Sequence, residues 1–135
     1  MDFNLKPQSS GENKELVTEN NTAIKYASGT APVYATPALV GLMENAAVLA
    51  IGNQLPEGFG TVGISMNVKH VSATPIGMTV HAKATLTEQD RKKLTFQIEA
   101  YDEAGPVGNS IHERFIIETK PFLDKADRKK AEFCK

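Results

Sequence analysis

The segment Thr36-Pro37-Ala38-Leu39-Val40-Gly41-Leu42-Met43-Glu44-Asn45-Ala46-Ala47-Val48-Leu49-Ala50-Ile51 limits the architecture more than any other stretch of this 135-residue chain. Between Lys25 and Glu57, Glu44 is the sole charged residue. Thr36 followed by Pro37 marks a helix start. The residue before a proline is driven extended, a threonine hydroxyl can cap free amides, and proline suits the first helical position. From there to Ile51 the helix is apolar on nearly every side, the pattern of a buried helix. At helical spacing the neighbours of Glu44 are Val40, Gly41, Ala47, Val48 and Ile51. Its carboxylate is therefore expected to lie in apolar surroundings, where it is costly unless paired or protonated.

Turn residues from Asn53 to Gly60 end this helix, and four strand patterns follow. Val62, Ile64, Met66 and Val68 recur at period two in the first. Met78, Val80, Ala82, Ala84 and Leu86 alternate with polar residues in the second, and Leu94, Phe96, Ile98 and Ala100 do so in the third. The fourth runs from Val107 to Thr119. Each has one dry and one wet face, and the turns between them are too short for parallel crossovers. Upstream, residues 15–18 and 22–26 read as short strands parted by Asn20-Asn21. One buried helix and one single-sided sheet cover each other when the sheet wraps round the helix, an α+β arrangement called the hotdog fold. The helix offers more apolar surface than one sheet covers, so a homodimer is expected.

A hydrophobic content of 41% fits one ordinary core. The expected organisation is a flexible tail over residues 1–14, the hotdog domain over 15–121, and a charged extension over 122–135. With 15 basic and 16 acidic residues and a net charge of −1, no field favours nucleic acid or a membrane surface, and neither is expected as a partner. The 36–51 segment is too short, and too polar at its centre, to span a bilayer. Cys134 is the single cysteine, and the polar N-terminus shows no apolar secretion core, which together suggest a cytoplasmic setting. No His, Cys and Asp cluster has ligand spacing, so neither a metal nor a cofactor is expected.

Strand parity separates the three histidines. His70 shares the parity of Val62, Ile64, Met66 and Val68, and is expected to face the helix. His81 falls among Thr79, Lys83 and Thr85, and His112 falls off the face of Val107, Ile111 and Phe115. Two inward ionisable residues, Glu44 and His70, therefore meet at one interface. Thr36 reads fully as a helix cap, with the added point that a helix N-terminus favours developing negative charge. Thr36 and Glu44 are eight residues apart, ~12 Å of rise on an ideal helix, so a site using both needs substrate or a partner chain between them. Glu113 shares parity with Ile111 and Phe115, and a bulge or a local pair would account for it. Arg91-Lys92-Lys93 and Arg128-Lys129-Lys130 read as solvated charges, or as groups that meet the phosphates of a nucleotide-bearing thiol.

These residues have a precedent. Tyr34 to Glu44, Thr61-Val62-Gly63, His70 with Ala73-Thr74-Pro75-Ile76-Gly77, and the triplet His112-Glu113-Arg114 together resemble the fluoroacetyl-CoA thioesterase-like hotdog proteins. The resemblance covers roughly residues 15 to 120. It implies acyl-CoA thioester hydrolysis by a catalytic group of Thr36, Glu44 and His70, with Gly63 near the bound acyl group. Val40, Gly41 and Arg114 complete the expected substrate-binding residues. The fluoroacetyl-specific member has phenylalanine lid residues shortly before its threonine, whereas residues 27–32 here hold no aromatic. The resemblance thus implies hydrolysis of a small acyl-CoA without carrying fluoroacetyl selectivity.

In this reading Glu44 is nucleophile or general base. His70 orients or deprotonates water and protonates the leaving thiolate, and Thr36 with nearby amides holds the thioester oxygen. The alternatives are a non-catalytic acyl-CoA-binding module and a hydratase on the same fold. Hydratases of that kind pair an Asp and a His close in sequence, a pair not visible here.

Overall fold

The structure is a computed structural model and describes residues 2–134. Five strands, β1 (Ser10–Leu16), β2 (Phe59–His70), β3 (Thr79–Asp90), β4 (Lys93–Asp102) and β5 (Gly105–Glu118), form one antiparallel sheet in the order β1-β3-β4-β5-β2. Helices α1 (Ala23–Tyr26), α2 (Thr36–Ile51) and α3 (Thr119–Phe133) complete the elements. Alternation in β3 and β4 is as expected. Val80, Ala82, Ala84 and Leu86 are buried, as are Leu94, Phe96, Ile98 and Ala100. No helix among the described residues is long and apolar enough to cross a membrane.

The buried residues of α2 fall in pairs four apart: Ala38 and Leu39, Leu42 and Met43, Ala46 and Ala47, Ala50 and Ile51. That spacing makes one continuous stripe, which packs chiefly on β1 and β3. Gly11 makes the β1 contact possible. A Cβ there would lie 2.3 Å from Ala50 N and 2.5 Å from Ala46 O, so strand backbone meets helix backbone directly. The opposite side of α2 is open, with Gly41, Val48 and Leu49 exposed. The helix expected to be buried all round is thus covered by its own chain on one side only.

The N-terminal region also differs from expectation. β1 begins at Ser10, inside the expected tail, and Phe3 and Leu5 are buried, with the Phe3 ring edge-on to Phe59 at 5.1 Å. Leu5 N donates to Gln89 Oε1 at 3.1 Å. The chain over residues 22–26, expected as strand, is the short helix α1, preceded by a 3-10 turn at Glu19–Asn21 that Thr18 caps. Local side-chain-to-backbone bonds outcompete extended structure there. Of the residues expected as a charged extension, 122–133 lie in α3, which buries none of its side chains, and Lys135 lies outside the described residues.

Two bulges decide which side chains reach α2. β2 shifts register against β5 between Gly63 and Ser65, and β5 shifts against β4 so that Val107 lacks a partner between Pro106 and Gly108. An extra residue reverses the facing of everything beyond it. Val62 and Ile64, expected inward, therefore do not share a face with Met66, Val68 and His70, and Ile64 is exposed. On β5, Ser110, His112, Arg114 and Ile116 are buried while Ile111 and Phe115 are exposed. This corrects the expected placing of His112 on the wet face.

Candidate active site

Thr36 is the first residue of α2, and Ala35 holds the cap position without a side-chain cap. The expected capping role of Thr36 is not observed. Its hydroxyl instead hydrogen-bonds His70 Nδ1 at 2.8 Å. The approach to α2 is laced to the loop that follows His70, where Tyr34 N donates to Thr74 O and Val33 bridges Pro75, and to the 3-10 turn, where Ala35 N donates to Asn21 O. Thr74 itself is buried and donates to Asp102 Oδ2 at 2.7 Å, so the loop is anchored to the end of β4. Burial pushes the His70 pKa below its ordinary value, which keeps the ring neutral at pH 7. Its Nε2 is buried and has no partner among the described residues. A cleft of about 270 Å³ opens here, lined by Ser28, Tyr34, Thr36, His70, Ser72 and Ala73 among others.

Glu44 lies on α2 at ~12 Å of rise from Thr36. Its side chain is 43% exposed, which corrects the expectation of a carboxylate in apolar surroundings. Arg114 Nη1 stands 3.6 Å from Glu44 Oε2. The guanidinium is buried and donates from Nε to Thr61 Oγ1 at 2.9 Å, from Nη2 to Thr61 O at 3.1 Å, and from Nη1 to His112 Nε2 at 3.2 Å. His112 Nδ1 in turn donates to Ser65 O at 2.8 Å. Burial holds the His112 pKa below its ordinary value. Gly63 is beside this group: a Cβ there would come 2.8 Å from Glu44 Oε2 and 3.2 Å from His112 Cε1. Only a hydrogen at that position leaves the carboxylate its place.

The other expected residues are more loosely related. Val40 is half-buried, and Gly41 is exposed with open space where a Cβ would stand. Gly41 lines a second cleft of about 290 Å³ with Asn13, Pro37 and Asn45. His81 stacks on Tyr101, with ring centroids 5.2 Å apart. Glu113 accepts from Ser65 Oγ at 2.7 Å and pairs with Lys93 at 3.4 Å. Arg91, Lys92 and Lys93 line a groove of about 850 Å³ with Phe3 and Phe115, a lining that includes neither Thr36 nor Glu44.

His112 is the residue that sequence reasoning missed. Two signals pointed to it: it shares parity with Arg114, already a candidate, and it lies in the His112-Glu113-Arg114 triplet of the resemblance. The candidate residues therefore fall into two groups, Thr36 with His70 and Glu44 with Arg114, His112 and Gly63. The same gap appears along β2, where His70 and Met66, the Cα partner of His112, are four residues apart, ~13 Å. Within one chain no single carbonyl carbon touches both groups.

A sequence profile of the fluoroacetyl-CoA-specific thioesterase family matches residues 17–120. The chain belongs to this family. As a member it is a thioester hydrolase. The fluoroacetyl-CoA thioesterase of Streptantibioticus cattleyicolor is 37% identical over 97 residues, covering 72% of this chain and 70% of that protein. A solved structure of a fluoroacetyl-CoA thioesterase superposes with a TM-score of 0.87 at 30% identity, covering 93% of this chain and 98% of that one. A thioesterase-superfamily protein of Thermus thermophilus shares the fold, with a TM-score of 0.89 at 24% identity and 96% of each chain covered. So does a hot-dog-like protein of Thermanaerovibrio acidaminovorans, with a TM-score of 0.84 at 21% identity and 93% of each chain covered.

Proposed function

We propose that this family member hydrolyses small acyl-CoA thioesters at a site composed of Thr36 and His70 from one chain and Glu44 and Arg114 from its partner in a homodimer. The observation that carries the reading is the 2.8 Å bond between Thr36 and His70 at the start of α2, with the carboxylate–guanidinium pair ~12 Å further along. That gap is what a two-fold neighbour would close. The exposed Val48 and Leu49 on α2, and the unpaired edge of β2, offer surface for it. A solved relative holds acetyl-CoA, in keeping with a small acyl group, and the cleft beside Thr36 is correspondingly small.

In the reaction, the thioester oxygen sits against Thr36 and the free amides at the start of α2, which receive the negative charge of the tetrahedral state. The Glu44 carboxylate, paired with Arg114, delivers the attack directly or takes a proton from the attacking water. His70 is neutral, so its ring can accept a proton from water and pass it to the departing thiolate. Gly63 lets the carboxylate approach without a side chain in its way.

A panel of short acyl-CoAs with a thiol-detecting reagent tests the activity, and mixing two inactive variants tests the composite site. In a mixture of Thr36→Val and Glu44→Gln chains, half the dimers are mixed and each holds one intact site, so about a quarter of wild-type turnover returns. Release of no CoA from any thioester defeats the substrate reading. A mixture as inactive as its components defeats the shared site.

A further inference from the structure

His112 is 1% exposed, yet both of its ring nitrogens are committed. Ser65 O is a carbonyl and can only accept, so Nδ1 carries the proton in their 2.8 Å bond. Arg114 can only donate, so Nε2 meets Nη1 at 3.2 Å with its lone pair. The partners alone assign the tautomer. The groups around the ring agree with a neutral form. Arg114 faces it from β5, Glu44 from α2, the Ser65 carbonyl from β2, and from β4 the uncharged Phe96 ring lies 6.4 Å away. A second cation here would oppose the guanidinium and remove the only ring acceptor it uses.

We propose that His112 is a positioning residue, fixed as the neutral Nδ1–H tautomer, whose Nε2 sets the Arg114 guanidinium in the orientation that faces Glu44. The inference rests on the reading of Glu44 and Arg114 as the group that acts on the thioester. Thr61 takes Nε and Nη2, and these two contacts fix one edge of the guanidinium. The remaining nitrogen, Nη1, is the one that reaches Glu44, and His112 is its hydrogen-bond acceptor. Removing that acceptor frees Nη1 and leaves a buried donor unsatisfied, while the backbone contact to Ser65 is a separate function of the same ring. His112 thus acts through Arg114 and need not touch substrate.

Two isosteres divide these functions. The amide of His112→Asn reaches the place of Nδ1, keeping the donor to Ser65 O but offering Arg114 no acceptor. His112→Gln places its amide oxygen near Nε2 and keeps the acceptor. With acetyl-CoA as substrate, His112→Asn should lose kcat/KM on the order of a hundredfold, the scale of a misplaced catalytic contact, while His112→Gln keeps most of it. In an Arg114→Gln background His112→Asn should cost nothing further, because the residue it acts through is already gone. Equal activity of His112→Asn and wild type, additive losses in the double variant, or losses that merely follow melting temperature would overturn the role. Nitrogen-15 NMR of the wild-type protein at neutral pH gives a readout that needs no turnover and no variant. Nδ1 should be protonated and Nε2 bare, and an Nε2–H ring or an imidazolium refutes the proposal. Full activity of Glu44→Gln would instead sink the reading of the site, with the tautomer still decided by the NMR.

Discussion

At the Thr36–His70 end, one side-chain hydrogen bond joins two residues beside a cleft, and His70 Nε2 has no partner among the described residues. At the Glu44–Arg114 end, a chain of four hydrogen bonds runs from Ser65 through His112 and Arg114 to Thr61 before the carboxylate is reached. The two ends lie under the same helix and differ in how far their geometry is determined. A group that must exchange protons needs a free nitrogen and a pKa below neutrality. A group that must present charge needs its counter-ion held still. The roles proposed for His70 and Glu44 match that division.

The largest effect should come from removing charge at the rigid end. Glu44→Gln is expected to lower kcat by about a thousandfold, inside the usual range for a lost general base. Because buried Arg114 then loses its counter-ion, the melting temperature should fall, whereas a carboxylate sealed in apolar surroundings would have given a rise. Thermal unfolding and acyl-CoA hydrolysis on one preparation separate these outcomes. At the loose end, His70→Ala should cost about a hundredfold in kcat, and His81→Ala, which removes only a ring stacked on Tyr101, should leave turnover at wild-type level. If His81→Ala were the damaging change, the facing of the sheet would be wrong.

Gly63→Ala tests how closely the rigid end is fitted. Its Cβ must displace the free end of Glu44, so kcat/KM should fall by about tenfold with little change in stability. A variant as active as wild type would mean that Glu44 has room to spare. The smallest effect is on pH dependence. Both His70 and His112 have pKa values lowered by burial. As pH falls through the ordinary histidine range, ~6.5, the unfolded chain takes up protons that the native protein does not, so stability declines below that pH and is flat above it. The decline should shrink by about half in His112→Gln; an unchanged pH profile would show that His112 is not one of the groups responsible.

The bulges explain why one half of the sheet was legible in the sequence and the other was not. β3 and β4 keep strict alternation through Val80 to Leu86 and Leu94 to Ala100, and their burial follows it residue by residue. β2 and β5 alternate as well, but each holds one extra apolar residue, Ile64 and Val107, that fits either face. Counting parity from Val107 places His112 outward. Counting from Gly108, past the bulge, places it against Arg114. Hydrophobicity carries no mark of such a shift, because a valine or isoleucine at a bulge looks like one in register.

What the sequence determined by itself was the central helix, the antiparallel sheet, and Thr36, Glu44 and His70 as chemically unusual positions, while Gly63 and Arg114 entered with the family resemblance. The helix, the sheet and those three positions follow from local signals: a Thr-Pro start, a glycine stop, period-two alternation, and one charge in an apolar run. Only the tertiary structure decided that Thr36 bonds His70 and does not cap its helix, that Glu44 is paired and half-open, and that His112 bonds Arg114. Each of these depends on which residues from distant strands are brought opposite one another. That is a matter of register between β2, β4 and β5, and register is set by pairing across the sheet, which no local pattern along one strand contains.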